Sequence, residues 1–300
     1  MPSQPGTRPL RRTLAASVLS SSLLISCSPA PAPVPAPLVP RPVAATTPSA
    51  PAPRGSSYRK ALTRSLHRYL DDLPGQLSVS VRELSTGLSY TYNHRLRTAT
   101  ASIVKVDLVV ALLLKAQRRH RGLTGRERGW AARAVKVSDN AAASTLWSAI
   151  GGAPGLAAAH RKLGLRDTTP GPGGAWGATT TSAADQLRLL TALTSPKSPL
   201  SAKNRRYVLG LMSEVTPEQS WGVSAAGRGD VALKNGWLPR PRDGGRWTVN
   251  SIGRVRDRHG HTYLIAVISH RHRTMGAGVK AVEHVAELVT KALSKAADRR

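Results

Sequence analysis

Phenylalanine is absent from the 300 residues, and cysteine occurs once, at Cys27. Without phenylalanine, leucine, valine and alanine must fill a core, and a hydrophobic content of 40% is enough to build one. A lone cysteine excludes an internal disulfide, and no Cys/His spacing suits zinc, so neither metal nor cofactor is expected. Acids are scarce, with 16 Asp and Glu against 44 Lys and Arg, for a formal net charge of +28. That surplus suits anionic partners such as nucleic acid, anionic lipid or acidic cell-wall polymers. Nucleic-acid recognition needs a module, or aromatics interleaved with the basic residues. Neither is visible, so the charge reads as a basic surface held near an anionic envelope, with wall polymers as a partner and no nucleic acid.

The first 56 residues read as targeting and tether. Arg8, Arg11 and Arg12 make a basic start, and residues 13–25 are apolar or small. That run is too short and too serine-rich to span a membrane, but it suits an export signal over residues 1–26. Leu24-Ile25-Ser26-Cys27 resembles the lipobox of bacterial lipoproteins, which implies cleavage before Cys27 and lipidation of its thiol. An ordinary signal peptide with a chance cysteine is the alternative, and Arg11-Arg12 also permits twin-arginine export. Residues 27–56 form a Pro/Ala-rich linker that cannot build a core. The expected product is an exported protein, anchored to the outer face of the cell membrane through lipid, with its folded domain over 57–300. Cleavage before Cys27 lowers the formal charge by three, from +28 to +25, so the basicity belongs to the mature chain.

Within the domain, "YRKALTRSLHRYLD" spaces Leu62, Leu66, Tyr69 and Leu70 as a helix does, while "QLSVSVREL" and "LSYTYN" read as a hairpin around Thr86-Gly87. Helical patterns follow over 102–117, 124–135, 140–150, 155–163, 182–193 and 201–213. Strands return at "DVALKNGW", "RWTVNSIGRV" and "TYLIAVIS", and an apolar stripe from Val279 to Leu293 marks a closing helix over 276–297. The order predicts an α+β fold: an antiparallel sheet flanked by N- and C-terminal helices, with an inserted all-helical subdomain and a cleft between the two parts.

In "TASIVKVDLVVALLLK" the charged Lys105 sits in an apolar run, three residues after Ser102. On a helix that spacing shares one face, about 4.5 Å apart along the axis. A lysine whose charge is disfavoured by burial can take a proton from a neighbouring hydroxyl and create a nucleophile. By itself the pair equally fits a capping serine and a snorkelling lysine. Two further segments change the balance: Ser138-Asp139-Asn140, where a loop opens a helix, and Lys234-Asn235-Gly236 on a strand.

Ser-x-x-Lys, Ser-Asp-Asn and Lys-Thr-Gly together are the signature of class A β-lactamases and penicillin-binding proteins. The chain resembles that family over about residues 58–297, with Asn235 standing where the family has threonine or serine. The resemblance implies the β-lactamase-like fold and a serine acyl-enzyme that needs no cofactor and acts as a monomer. Its ligands would be β-lactams or cell-wall peptides. It further implies that Ser102 attacks a carbonyl with Lys105 as base. Ser138 would pass a proton to the leaving nitrogen with help from Lys234, which also attracts a substrate carboxylate. Asn140 would hold substrate amides, and Asn235 would offer an amide N–H to the ligand. Gly236 would admit close backbone approach, and the N–H groups of Ser102 and Trp237, at the cleft edge, would form the oxyanion hole.

One family residue is missing. A class A β-lactamase frees its acylated serine with a loop glutamate, yet no glutamate lies between Glu127 and Glu214. Asp167, in "LRDTTP", is the loose candidate for replacing it. The expectation is acylation followed by slow release. The rival readings are a non-catalytic wall-binding lipoprotein and a peptidase acting on cell-wall peptides. The four histidines 259, 261, 270 and 272 read as exposed hairpin residues rather than metal ligands, and Asp107 as the partner of a nearby base or the cap of a polar contact, with no catalytic role.

Overall fold

The computed structural model describes residues 55–299, so the export signal, Cys27 and most of the linker lie outside the described residues. Helix α1 (Gly55–Asp71) leads into the hairpin β1 (Gln76–Glu83) and β2 (Ser89–Tyr92). A short strand β3 (Thr98–Ala99) and a 3-10 turn, Ala101–Ile103, precede α2 (Val104–Arg118). Around α2 come α3 (Gly125–Lys136), α4 (Asn140–Ile150) and α5 (Gly152–Leu163). The short strand β4 (Thr180–Thr181) then leads to α6 (Ala183–Thr194) and α7 (Ala202–Ser213). Strands β5 (Val231–Arg240), β6 (Arg246–Arg256) and β7 (Thr262–His270) and helix α8 (Met275–Ala297) close the domain.

The main sheet has the order β2-β1-β7-β6-β5, with every neighbouring pair antiparallel. Strand alternation divides its side chains between two cores. In β7, Tyr263, Ile265 and Val267 pack with Val282, Val285 and Val289 of α8. Leu264, Ala266 and Ile268 face the helical part instead. The α+β architecture, with α1 and α8 on one face and helices 2 to 7 on the other, is the one predicted. No helix among the described residues is long and apolar enough to cross a membrane.

Helix α2 is the axis of the helical part, and all its residues from Val104 to Leu114 are buried. Asp107 lies wholly inside, and its Oδ1 meets Nε2 of the equally buried His160 on α5 at 3.0 Å. This is the basic partner expected for Asp107. The expectation of exposure holds only at His259: His261 and His270 are half-buried, and His272 is 3% exposed, with its Nε2 2.8 Å from Ser269 Oγ. Gly75 and Gly278 bring backbone against that ring, which is why it has no room at the surface.

Candidate active site

Two non-glycine residues with left-handed backbone flank the serines of interest. Ala101 has φ 47°, immediately before Ser102, and Ser138 itself has φ 57°. Such conformations cost about 1–3 kcal/mol and persist only where the surroundings impose them. At Ala101 the constraint is visible. Asn250 of β6, fully buried, donates its amide protons to the carbonyls of Ala99 and Thr100 at 2.9 and 3.0 Å. Thr100 N–H in turn donates to Thr179 O at 2.7 Å. Ser138 is held from the other side, because Asp139 caps α4 by accepting from Ala142 N–H at 2.8 Å.

The amine of fully buried Lys105 gathers these turns. Its Nζ lies 2.9 Å from Ser102 Oγ and 3.0 Å from Ser138 Oγ. It also lies 2.6 Å from the Ser138 carbonyl oxygen and 2.8 Å from Asn140 Oδ1. The last two atoms can only accept, whereas the two hydroxyls can donate. A neutral amine fits this set, with two N–H bonds to the obligate acceptors and its lone pair toward a hydroxyl. Burial lowers the Lys105 pKa to about 8, with Asp139 opposing the shift. Burial lowers Lys234 to about 7, with the nearby Lys105 charge adding to the effect.

Strand β5 supplies the facing wall. Residues 234, 236, 238 and 240 share one face by the period of two. A Cβ placed on Gly236 would stand 2.6 Å from Ser102 N and 2.8 Å from Thr100 O, so only glycine admits the Ser102 turn this close. Lys234 Nζ donates to Gln219 Oε1 at 3.2 Å and to Asn235 O at 2.8 Å, rather than to Ser138.

Asn235 departs from expectation. Its side chain points to the opposite face of β5, where Nδ2 donates to Gln219 O at 2.8 Å and Trp221 O at 2.9 Å. It ties the 219–221 segment to the sheet and presents no N–H to the cleft. Trp237 does edge the cleft, and its ring meets Trp221 edge-on at 5.7 Å.

The cleft between the helical part and β5 holds about 520 Å³ and is lined by Ser102, Asn140, Trp176 and Trp237 among others. Among the described residues, no carboxylate lines it. Asp167 is turned elsewhere: Arg97 Nη2 lies 2.8 Å from it, and Ser182 Oγ donates to it at 3.2 Å. The hydrogen bond from Arg97 holds its pKa below the usual carboxylate range, aided by Ser182. The wall that the loop 166–179 offers is Trp176, whose ring centroid is 5.0 Å from Lys105 Nζ. Its indole N–H donates to Ser144 Oγ at 3.1 Å.

Sequence reasoning missed Asn250 and Gln219, and took Trp176 only as core or cleft lining. Trp176 had a faint signal, as the lone aromatic in the glycine-rich stretch "GPGGAWGATT". A polar residue inside the strand "RWTVNSIGRV" was the corresponding hint for Asn250.

The family model of the beta-lactamase enzyme family matches residues 127–293. This chain belongs to the beta-lactamase enzyme family. The matched span contains Ser138, Asn140 and Lys234 and starts after the Ser102 helix. Among solved members of the fold, the TLA-1 extended-spectrum β-lactamase superposes with a TM-score of 0.69 at 19% identity, over 78% of this chain and 99% of that one. A mutant of PBP-A, solved as an acyl-enzyme complex with penicillin G, gives 0.67 at 19% identity, over 79% and 97%. A class A β-lactamase from Bacteroides cellulosilyticus DSM 14838 gives 0.67 at 16% identity, over 79% and 99%. These identities speak for the β-lactamase fold alone. By sequence, proteins of Mycobacterium tuberculosis and Mycobacterium bovis named "Putative lipoprotein LppW" are 27% identical over 205 residues. The match spans 65% of this chain and 65% of the length of those curated relatives.

Proposed function

We propose that the protein is a serine acyl-enzyme that takes β-lactams, or the related amides of cell-wall peptides, and releases them slowly. The observation that carries the reading is the 2.9 Å contact between Lys105 Nζ and Ser102 Oγ, with Ser138 Oγ 3.0 Å from the same nitrogen. Ser102 Oγ attacks the carbonyl carbon while its proton passes to neutral Lys105. The C–N bond then breaks, and the proton travels through Ser138 to the leaving nitrogen, restoring the neutral amine. The N–H groups of Ser102 and Trp237 would stabilise the oxyanion; losing one such donor typically costs about two orders of magnitude in rate. The support is that β5, which pairs only with β6, is an edge strand lying against the nucleophile turn. Lys234 supplies positive charge for a ligand carboxylate, and Asn140 contacts its amide.

Slow release follows from the wall facing Lys105. Freeing an acylated serine needs a base for water, and that wall is the indole of Trp176, not a carboxylate. The test is incubation of the protein with a labelled penicillin, followed by mass. One stable adduct on Ser102, absent in Ser102→Ala, supports the reading. Rapid turnover would assign a deacylating base, and absence of any adduct would leave a non-catalytic binder. Lipidation at Cys27, which would hold the domain on the outer face of the membrane, is part of the same proposal. Loss of membrane association in Cys27→Ala tests it.

A further inference from the structure

Beyond Gly236 the face of β5 that looks at Ser102 continues through Leu238 to Arg240, and Arg242 follows in the next turn; these last three residues line the cleft. Arg240 is only 8% exposed. Its one ionic partner among the described residues is Asp243, whose Oδ2 lies 3.6 Å from Nε, too far for a good hydrogen bond. Burial lowers its pKa, Arg242 adds to this, and Asp243 opposes it. Arg242 itself is exposed. Among the described residues Asp243 is thus the one acidic neighbour set against Arg240, and the adjacent cleft lining adds a second guanidinium, that of Arg242, and no acid. A buried cation at the end of a cleft without carboxylates is undercompensated, and desolvated charge of this kind is stabilised by an incoming anion.

We infer that Arg240 and Arg242 form an anion subsite that selects ligands carrying a second carboxylate on the acyl side of the reacting carbonyl. The inference rests on the acyl-enzyme reading for its orientation. Lys234, proposed to attract the carboxylate on the leaving side, and Arg240 lie on opposite sides of Gly236 along one strand face. Arg240 is four residues beyond Gly236, about 13 Å at a strand's rise. A peptide lying extended along β5 places a side-chain carboxylate two residues before the reacting carbonyl about 10 Å away, within reach of the two long arginine side chains. The ligand class is thus an acidic peptide amide rather than a neutral one.

The experiment compares two peptides, acetyl-Glu-Ala-D-Ala-D-Ala and acetyl-Gln-Ala-D-Ala-D-Ala, titrated calorimetrically against the full-length Ser102→Ala protein at low salt. The Glu peptide is expected to bind about five- to tenfold more tightly, an advantage that shrinks with added salt. The advantage should vanish in Arg240→Gln and in Arg242→Gln. Because Arg242 is exposed, its variant keeps the comparison open if Arg240→Gln fails to fold. Equal affinity of the two peptides, or no binding of either, overturns the inference. The parallel penicillin-labelling assay separates the two readings. Labelling without a Glu preference removes the anion subsite and leaves the acyl-enzyme. A Glu preference without labelling does the reverse.

Discussion

Trp176 sets its indole 5.0 Å from the amino nitrogen of Lys105, in the same cleft wall that borders Ser102. An aromatic face attracts the cationic amine but cannot accept a proton from water. On the acyl-enzyme reading, replacing it with a carboxylate supplies the base that release needs. Trp176→Glu is expected to shorten the lifetime of a penicilloyl adduct at least about tenfold, at the low end of what a positioned general base contributes. Trp176→Gln should leave the lifetime near that of the parent. Time-resolved intact mass of the adduct checks both, and an unchanged lifetime in the Glu variant would show that release is limited elsewhere.

The two buried amines set an acylation profile with two limbs. In the proposed mechanism Lys105 acts as a base only when neutral, a fraction that rises about tenfold per pH unit up to its pKa of about 8. Lys234 would attract a ligand carboxylate only when charged, a fraction that falls above its pKa of about 7. The product is a bell, level between the two values and falling on both sides, with limbs that belong to the coupled pair. Stopped-flow acylation from pH 5 to 10 measures it. Lys105→Ala is expected to lower the rate by about two to four orders of magnitude. Lys234→Ala should lower it at neutral pH and abolish the alkaline fall.

Asn250 acts through the turn that presents Ser102, so it is a positioning residue. Asn250→Ala leaves the Ala99 and Thr100 carbonyls and the Ser269 N–H, which donates to Oδ1 at 3.0 Å, without their partner. Stranding buried polar groups costs about 1–3 kcal/mol each, so urea denaturation should show a loss of at least about 2 kcal/mol. The discriminating measurement is acylation under conditions where the protein is folded. Asn250→Ala should acylate much more slowly than Val255→Ala, a cavity variant in the core against α8, even at equal stability.

The Asp107–His160 pair predicts a non-additive pattern. Asp107→Leu alone leaves the buried His160 imidazole without its partner and should destabilise by about 1–3 kcal/mol. Combining it with His160→Leu should recover most of that loss, because an apolar pair of similar volume needs no hydrogen bonds. Thermal melts of the two single variants and the double variant provide the cycle. Additive losses would mean that the pair contributes nothing as a unit.

Period-two and helical patterns in the sequence were enough to predict the principal helices and main strands, because burial of one face imposes those spacings wherever an element packs. The hairpin around Thr86-Gly87, helix 140–150 and the closing stripe of α8 all stand within a few residues of expectation. The two-residue strands β3 and β4 did not show, since a pair so short has no period to detect. Ser102 and Lys105 were legible as neighbours because three helical residues bring them together locally.

Their meeting with Ser138 and Asn140 depends on chain segments more than thirty residues apart. Residue types identified those members, but only packing could supply the distances. The same holds for what the sequence placed wrongly. Asn235 adjoins Lys234 in the chain, yet the pleat of β5 sends it to the opposite face and into hydrogen bonds with the 219–221 segment. Asp167 had the right chemistry for a loop base, but Arg97, from far earlier in the chain, holds it away from the cleft. The sequence by itself determined the elements, the apolar faces and the residue types of the site. The tertiary structure alone decided that an indole, not a carboxylate, faces the buried amine, because which loop side chain turns inward depends on distant partners that leave no periodic trace.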